Sequence, residues 1–103
     1  MTDRFELSAG ADIAGPSGQI DDGGVMTLFT RLFEGLTKAH APDAVSRALS
    51  INCDFVGPIE PGETLTGQAQ VTRATRSVMF MSAEIKAGSR FIATANAVYK
   101  LLV

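Results

Sequence analysis

Residues 21–38 read DDGGVMTLFTRLFEGLTK, and they form the only long stretch of the chain that has the periodicity of a helix. The apolar side chains recur at i, i+3, i+4, i+7 and i+11, which places them on one face of a helix. Met26 and Phe33 add apolar surface beside that face, so the helix is more hydrophobic around its circumference than a surface helix. The pattern therefore predicts a helix that the rest of the chain wraps. The apolar face consists of Val25, Leu28, Phe29, Leu32 and Leu36.

Two aspartates and two glycines, residues 21–24, open this helix. An aspartate at the start of a helix caps backbone N–H groups of the first turn, and the helix dipole makes that end positive. The entrance thus combines carboxylates with backbone donors that glycine leaves unshielded. We expect the functional site of the protein to lie here.

The segments on either side of the helix have the period of strands or the composition of loops. Residues 4–8 alternate as a short strand does, and residues 9–18 contain three glycines and a proline, which is typical of a loop. Lys38 and His40, followed by Pro42, indicate where the helix ends. After it the period changes to two, and we predict strands at 50–55, 63–73, 77–86 and 90 to about 102, with turns at 57–62, 74–76 and 87–89.

This order of elements predicts one α+β domain over residues 1–103, with a single helix against an antiparallel sheet. The sheet would contain the strand before the helix and a meander of about four strands after it. Val78 and Phe80 would point to one face of the sheet, and Met79 and Met81 would point to the other. Apolar side chains are therefore expected on both faces. A sheet whose second face and edges stay uncovered favours association of subunits, most simply as a two-fold dimer.

The composition argues against several classes of function. The net charge is -2, the pI is about 5.2 and no two lysines or arginines are adjacent, so the cationic surface that nucleic acid requires is missing. No apolar stretch approaches the roughly 20 residues that span a bilayer, and residues 1–6 lack the features of a signal peptide, which predicts a cytoplasmic protein with no membrane partner. One cysteine and one histidine cannot supply a usual zinc site, which leaves open only a metal site made of carboxylates.

Five landmarks follow one another in a fixed order: Gly23-Gly24 at the helix entrance, and residues 49–58, 61–65, 73–77 and 92–97. From about Gln19 onward, this pattern resembles the hotdog-fold acyl-CoA thioesterases. In that family an antiparallel sheet of five or six strands wraps a central helix, so the resemblance implies about five strands around the predicted helix. It also implies a homodimer or a dimer of dimers that holds acyl-CoA between subunits, near the start of the helix.

The resemblance also implies roles for particular residues. The backbone N–H groups of Gly23 and Gly24 would polarise the thioester carbonyl. This chain's own candidates for activating a water molecule are Asp22 and Glu34, so that no cofactor is needed. The arginines near the predicted hairpin would hold the nucleotide end of CoA. The substrate-binding candidates besides the two glycines are Arg31, Asn52, Arg73, Arg76 and Ser77.

Among the departures from the family pattern, two lie at and within the predicted helix. Members of the phenylacetyl-CoA type have a histidine before the two glycines and a catalytic carboxylate nine residues later, where this chain has Asp22 and Arg31. The spacing from the glycines to Leu-Phe-Thr-Arg is similar to the N-terminal half of the two-hotdog thioesterases, whose catalytic residues belong to the other half. Two functions are therefore kept open, a thioesterase and a non-catalytic acyl-CoA-binding or assembly module that has lost the carboxylate.

The candidates on the helix also have structural interpretations. Asp22 would cap the helix by accepting a hydrogen bond from the N–H of Val25. Arg31 would pair with Glu34 three residues later, or would bind an acidic or phosphate group. Glu34 would be a solvated or interface residue if it is not the catalytic base.

The candidate residues on the predicted strand 50–55 lie on its two opposite faces. Cys53 shares the parity of Ile51 and Phe55, which predicts a buried core cysteine and not a nucleophile. Asn52 points the other way, where it would contact a substrate or a partner subunit, or would simply fill a polar face.

Overall fold

A computed structural model describes residues 3–102, and in this part of the chain one long helix and five strands occur. The predicted α+β class is confirmed. A short 3-10 helix, Ala11–Ile13, lies in the loop between the first strand and the long helix. The other elements are β1 (Arg4–Ala9), α1 (Asp22–His40), β2 (Val45–Phe55), β3 (Leu65–Ala74), β4 (Val78–Ala87) and β5 (Arg90–Leu102).

The five strands form one antiparallel sheet in the order β1-β3-β4-β5-β2. The predicted meander of about four strands is therefore wrong, because only β3, β4 and β5 follow one another. β2 pairs with β5, for example Ile51 with Ala97, and β1 takes the place beside β3. The physical reason is that α1 carries the chain from one edge of the sheet to the other, and residues 56–64 then return it to β3. As a result β1 and β2 are the two edge strands.

α1 packs against one face of the sheet and buries the predicted apolar face. Leu28, Phe29 and Leu32 are each fully buried, and burying one such side chain contributes about 1.5–3 kcal/mol. The helix approaches the sheet closely at Gly67, where a Cβ atom would lie 2.5 Å from Cδ1 of Leu32. The buried side chains of β4 and β5 that face the helix include Met79, Met81, Ala83, Ile85, Ala93, Ala95, Ala97 and Tyr99.

The cap of α1 is Asp21 and not Asp22. Oδ1 of Asp21 accepts a hydrogen bond from the N–H of Gly24 at 3.0 Å, and the N–H of Val25 donates to the backbone carbonyl of Asp21. The predicted hydrogen bond from the N–H of Val25 to the Asp22 side chain is therefore wrong. Both aspartates fit the sequence pattern, but the side chain that precedes the first helical residue is the one placed to cap. Asp22 is left exposed in the first turn.

β2 is longer than predicted, since it begins at Val45 instead of residue 50. A bulge between Ala48 and Ser50 shifts its register with β5, so the residues before the bulge have the opposite parity. Ser46 consequently faces α1, where its hydroxyl lies 3.2 Å from the hydroxyl of Thr37. The alternation that identifies a strand in a sequence breaks at this bulge. The sequence pattern therefore does not predict the first half of β2.

Candidate functional site

The first turn of α1 holds a carboxylate and a backbone donor at the surface. Asp22 and Gly23 are both exposed, and the N–H of Gly23 has no hydrogen-bond partner within the described residues. The N–H groups of a first helical turn point along the axis, at the positive end of the helix dipole. An oxygen that develops negative charge would be stabilised at this position.

Gly24 differs from its neighbour because it is buried. Its N–H donates to Asp21, and a Cβ atom would lie 2.6 Å from the carbonyl oxygen of Ile13 and 2.9 Å from Cγ2 of Ile20. The loop before the helix therefore packs directly on Gly24, and the small residue allows that approach. In this structure the N–H of Gly24 is engaged by the cap, so of the two predicted glycine donors only Gly23 faces the surface.

Cys53, on β2, lies beside the helix entrance. Its register partner is the buried Ala95, so the thiol faces α1 as predicted, but Cys53 is half-buried and not a core residue. The reason is that β2 is an edge strand. Burial raises the pKa of the Cys53 thiol, and the negative charges of Asp54 and Asp22 raise that pKa further. The thiol is therefore protonated near neutral pH and is a poor nucleophile.

Phe55 continues the same face of β2. It pairs with the buried Ala93, yet 49% of its surface is exposed. Parity alone predicted a core residue, because the local pattern does not say whether another strand lies beyond β2. The structure thus adds Cys53 and Phe55 to the predicted Asp22 and Gly23.

Glu34 lies in the second half of α1, far from the helix entrance. It follows Asp22 by twelve residues, about 18 Å along the axis at roughly 1.5 Å per residue. The structure therefore does not bring the two candidate bases together within one chain. Glu34 lines a cavity of about 310 Å³ between α1 and the start of β2, together with Thr37, Lys38, Ala44, Val45 and Ser46.

Arg31 pairs with Asp12 of the 3-10 helix, with 2.9 Å between Nη1 and Oδ2. The predicted ion pair with Glu34 is therefore wrong, because the loop before α1 folds back along the helix and presents Asp12 to the guanidinium. The N–H of Gly10, and then Arg31, hold the pKa of the Asp12 carboxyl below its usual range. Arg31 follows Asp22 by nine residues, about two and a half turns, so the two side chains leave opposite sides of α1.

The residues expected to hold the nucleotide end of CoA lie at the other end of the sheet. Arg73 stacks on the ring of Phe80, with 5.9 Å from its guanidinium carbon to the ring centroid. Arg76 and Ser77 belong to the connection between β3 and β4, and the carbonyl of Ser77 accepts from the N–H of Leu101. β3 starts beside the loop that leads into α1 and ends at this connection. The length of β3 therefore separates these three candidates from Asp22.

Asn52 is exposed and pairs in register with Asn96, on the face of the sheet that points away from α1. It is separated from Cys53 by the sheet itself. Within one chain, Asn52 is thus not part of the group formed by Asp22, Gly23, Cys53 and Phe55.

Within residues 3–102, no group of three or more histidine, cysteine, aspartate or glutamate side chains is placed to hold a metal ion. No helix in this part of the chain is both long and apolar enough to cross a membrane. The helix entrance itself offers a carboxylate, a backbone donor, a protonated thiol and an aromatic ring.

Comparison with known proteins matches residues 19–91 to the family described as the thioesterase superfamily. A phenylacetic acid degradation-related protein from Ralstonia eutropha is 26% identical, with a TM-score of 0.78 over 94% of this chain and 74% of that one. The PaaI protein of the Escherichia coli phenylacetic acid degradation operon is 18% identical, with a TM-score of 0.80 over 97% and 72%. A thioesterase from Haemophilus influenzae is 15% identical, with a TM-score of 0.85 over 97% and 72%. No curated protein sequence matches the chain.

Proposed function

The chain belongs to the thioesterase superfamily and has the hotdog fold, and from this membership we propose that it hydrolyses a thioester of coenzyme A to a free acid and CoA. The observation that carries the proposal is the arrangement at the start of α1, where Asp22 stands beside the exposed N–H of Gly23. Water is the second substrate, and no cofactor takes part.

The chemistry follows from the positions of these groups. The N–H of Gly23 polarises the thioester carbonyl, and the dipole of α1 helps to stabilise the negative charge that the oxygen gains when water attacks. Asp22 accepts the proton of the attacking water and returns it to the departing CoA thiolate. General base catalysis contributes about two to four orders of magnitude to the rate. The exposed ring of Phe55 gives the acyl group an apolar surface.

A second copy of the chain completes the substrate groove. β2 is an edge strand, so one row of its backbone N–H and C=O groups is free to pair with another strand. Antiparallel pairing of two β2 strands about a two-fold axis extends the sheet and covers apolar side chains that one chain leaves exposed. Those side chains are Val45, Leu49, Phe55 and Val56.

This two-fold axis would also account for the separation of the candidate residues within one chain. The rotation reverses the direction of every element, so the β3–β4 hairpin of one copy lies toward the helix entrance of the other. Asn52 lies on β2, the strand that would pair across the two-fold axis. The residues of the second copy that approach a CoA bound at Asp22 are then Glu34, Arg73, Arg76 and Ser77.

A non-catalytic acyl-CoA-binding or assembly module is the second candidate, and one observation favours it. Where related enzymes have a carboxylate, this chain has Arg31, whose guanidinium is engaged by Asp12 at 2.9 Å. Substrate binding at the helix entrance does not require a base. Without one, the groove binds acyl-CoA and turnover is very slow.

Acyl-CoA turnover distinguishes the two candidates. Purified protein is mixed with short, aromatic and long acyl-CoAs, and the release of free thiol and the melting temperature are followed together. The thioesterase proposal expects thiol release from at least one of them and a higher melting temperature. Stabilisation without thiol release selects the binding module, and the absence of both responses refutes both functions.

Asp22→Asn tests the proposed base. We expect kcat to fall by about 10²–10⁴-fold with little change in KM, because the amide cannot accept the proton of water. Asp21→Asn is the matched control, since it removes the same charge one residue away and asparagine still caps the helix. Glu34→Gln tests the other candidate. Full activity of Asp22→Asn contradicts the role of Asp22, and full activity of both variants refutes both bases.

A further inference from the structure

A row of residues spaced four apart follows the side of α1 that is turned toward β2. Residues at i and i+4 share one face of a helix, so this row is continuous. At the start of the row, Asp22 lies close enough for its charge to act on the thiol of Cys53 on β2. Beyond its end, the hydroxyl of Thr37 lies 3.2 Å from that of Ser46 on β2. The row, which therefore faces β2 along its length, consists of Asp22, Met26, Thr30 and Glu34.

The side of β2 that faces this row is only partly covered by α1. Strand register pairs three residues of β2 with Ala95, Ala97 and Tyr99, whose side chains are buried beneath the helix, so these three also face α1. Two of them are half-buried and the third is exposed. We call the channel between the row and these residues the inner groove. Its β2 side consists of Cys53, Ile51 and Ala48.

The middle of the inner groove is apolar. Met26 and Ile51 are half-buried and belong to its opposite walls. Thr30 is polar, but its hydroxyl donates to the carbonyl of Met26 at 2.9 Å, so its donor is already used. A chain of methylene groups would exchange water for apolar surface here, which is favourable.

The far end of the inner groove, beyond Ala48, is polar. Tyr99, the register partner of Ala48, has only 2% of its surface exposed, and its hydroxyl makes no hydrogen bond to a residue that the structure describes. Among those residues, no side-chain oxygen or nitrogen that is shut off from solvent lacks a partner. The small exposed part of Tyr99 therefore includes its hydroxyl, which is left with an unused donor.

Glu34 adds a second unused group at this end. Its carboxylate makes no hydrogen bond and no ion pair within residues 3–102, and its negative charge reaches the phenol of Tyr99. It also lines the cavity of about 310 Å³ between α1 and the start of β2. About 18 Å separate it from Asp22 along the helix, so it cannot act on a thioester held at Gly23 of the same chain.

The length of the inner groove limits the chain that fits it. From Ala95, opposite Cys53, to Tyr99 the strand advances four residues, about 13 Å at roughly 3.3 Å per residue. An extended chain advances about 3.6 Å for every three bonds, so this distance takes roughly eleven bonds. An acyl group of about ten to twelve carbons therefore spans the groove from the helix entrance to the Tyr99 hydroxyl.

We propose that the inner groove binds the acyl chain of the substrate and that its far end selects a medium-chain acyl group with a hydroxyl on the last carbon. This proposal rests on the proposed hydrolysis, which places the thioester carbonyl at Gly23. The terminal hydroxyl donates to the Glu34 carboxylate and accepts from the Tyr99 phenol, so both unused groups gain a partner. A terminal methyl leaves both without one, and a terminal carboxylate meets the like charge of Glu34.

Thioethers of CoA test the far end without turnover, because they lack the bond that is hydrolysed. Calorimetry measures the dissociation constants of S-dodecyl-CoA and S-(12-hydroxydodecyl)-CoA, and we expect the hydroxylated compound to bind about 10-fold more tightly. In Tyr99→Phe, which removes only the phenol oxygen, this ratio should fall to about 3-fold, since Glu34 remains. Thr94→Val is the control, because it removes a hydroxyl from the opposite face of the sheet and should keep the wild-type ratio.

Hydrolysis of alkanoyl-CoAs with 4, 8, 12 and 16 carbons tests the length of the groove. We expect kcat/KM of the wild type to be highest for 12 carbons. Ala48→Leu adds bulk in front of the Tyr99 hydroxyl and should move the maximum to 8 carbons. Ser50→Leu is the control, because it adds a leucine on the opposite face of β2, beside Val98, and should keep the maximum at 12.

Three results overturn the proposal. They are equal dissociation constants of the two thioethers in the wild type, a maximum at 4 carbons, and a maximum that Ala48→Leu does not move. If circular dichroism shows that Tyr99→Phe does not fold, Ala48→Leu tests the same end of the groove, because position 48 is exposed. Thiol release from none of the acyl-CoAs refutes the proposed hydrolysis instead, and thioether binding still decides whether the groove takes the chain.

Discussion

Tyr99 is the single tyrosine of the chain, and its ring is buried between the sheet and α1, 6.1 Å from the ring of Phe33. Burial raises the pKa of Tyr99 to about 12, and the negative charge of Glu34 adds to the effect. Because no tryptophan is present, the ultraviolet absorbance of the phenolate reports this one residue. The ionisation of Tyr99 therefore reports on the packing between helix and sheet.

We expect the Tyr99 phenolate to appear near pH 12 in the native protein and near pH 10 in urea. The folded pKa is above the unfolded one, so this group's stabilisation is fully present below about pH 10 and is lost as the pH rises through about 12. Absorbance titration measures both values. In Tyr99→Phe the dependence of the unfolding free energy on pH over this range should flatten. A native titration near pH 10 would show that the ring is not buried.

Individual residues were predictable where one local rule decided them. The buried face of α1 follows from the spacing of Leu28, Phe29 and Leu32, and it is confirmed. Asp21 and Asp22 satisfied the same capping pattern, so the sequence could not choose between them. The half-exposure of Cys53 depends on which strand forms the edge of the sheet, a property that no local pattern contains.

At the level of elements, the loop before α1 and the helix depend on each other. The carbonyl of Ile13 lies against Gly24, and Arg31 holds Asp12 of the 3-10 helix. Gly24 is predicted to offer its N–H to a thioester carbonyl, but the group that packs against it is the protein's own loop. No sequence pattern indicates this contact, because a loop that folds back along a helix has no periodic signature.

Alanine at the two glycines should have opposite effects. In Gly24→Ala the new Cβ would lie 2.6 Å from the backbone of Ile13, so we expect the unfolding free energy to fall by about 1–3 kcal/mol. In Gly23→Ala the nearest atom is 3.4 Å away, and the higher helix propensity of alanine should change stability by less than about 1 kcal/mol, in the stabilising direction. Urea denaturation measures both. Equal destabilisation by the two variants would contradict the packing of the loop on Gly24.

The first half of β2 was missed for a physical reason. A strand is recognised by strict alternation, and the bulge between Ala48 and Ser50 reverses the alternation in the middle of the element. Residues 63–86 alternate over most of their length, and the two predicted strands there agree with β3 and β4 to within a few residues.

At the level of the whole molecule, the order of strands leaves β2 as an edge with exposed apolar side chains beside the candidate site. The proposed pairing of two β2 strands would cover the half-buried Cys53. The reactivity of this one thiol therefore reports whether the edge is occupied.

We expect the labelling rate of Cys53 by a maleimide to decrease as the protein concentration rises, because pairing of β2 edges shields the thiol. Leu49→Lys should block the edge and keep labelling fast at every concentration. Ser89→Lys, which adds the same charge in the exposed turn between β4 and β5, is the control. A labelling rate that does not change with concentration, in a protein that light scattering shows to associate, would place the interface elsewhere.

The class of fold followed from the sequence, but its topology did not. A change of period from helix to strand reports which elements exist, and consecutive strands usually pair, which favoured a meander. The pairing of β2 with β5 joins residues far apart in the chain, such as Asn52 with Asn96, and is selected by packing against α1. The separation of Asp22 from Arg76 is a consequence of the same long-range arrangement. Asp22 and Glu34 are apart for a local reason, because they lie twelve residues apart on the same helix.

The pairing of β2 with β5 also affects how the protein emerges from the ribosome. Of the five strands, β5 is synthesised last, so β2 has no partner within the chain until nearly all of the domain has been made. During that time both edges of β2 and the adjoining side of α1 are open to water, and Val45, Leu49 and Phe55 are available to neighbouring nascent chains. On a polysome, those neighbours carry the same strand, so the proposed pairing of β2 edges can begin before either domain is complete.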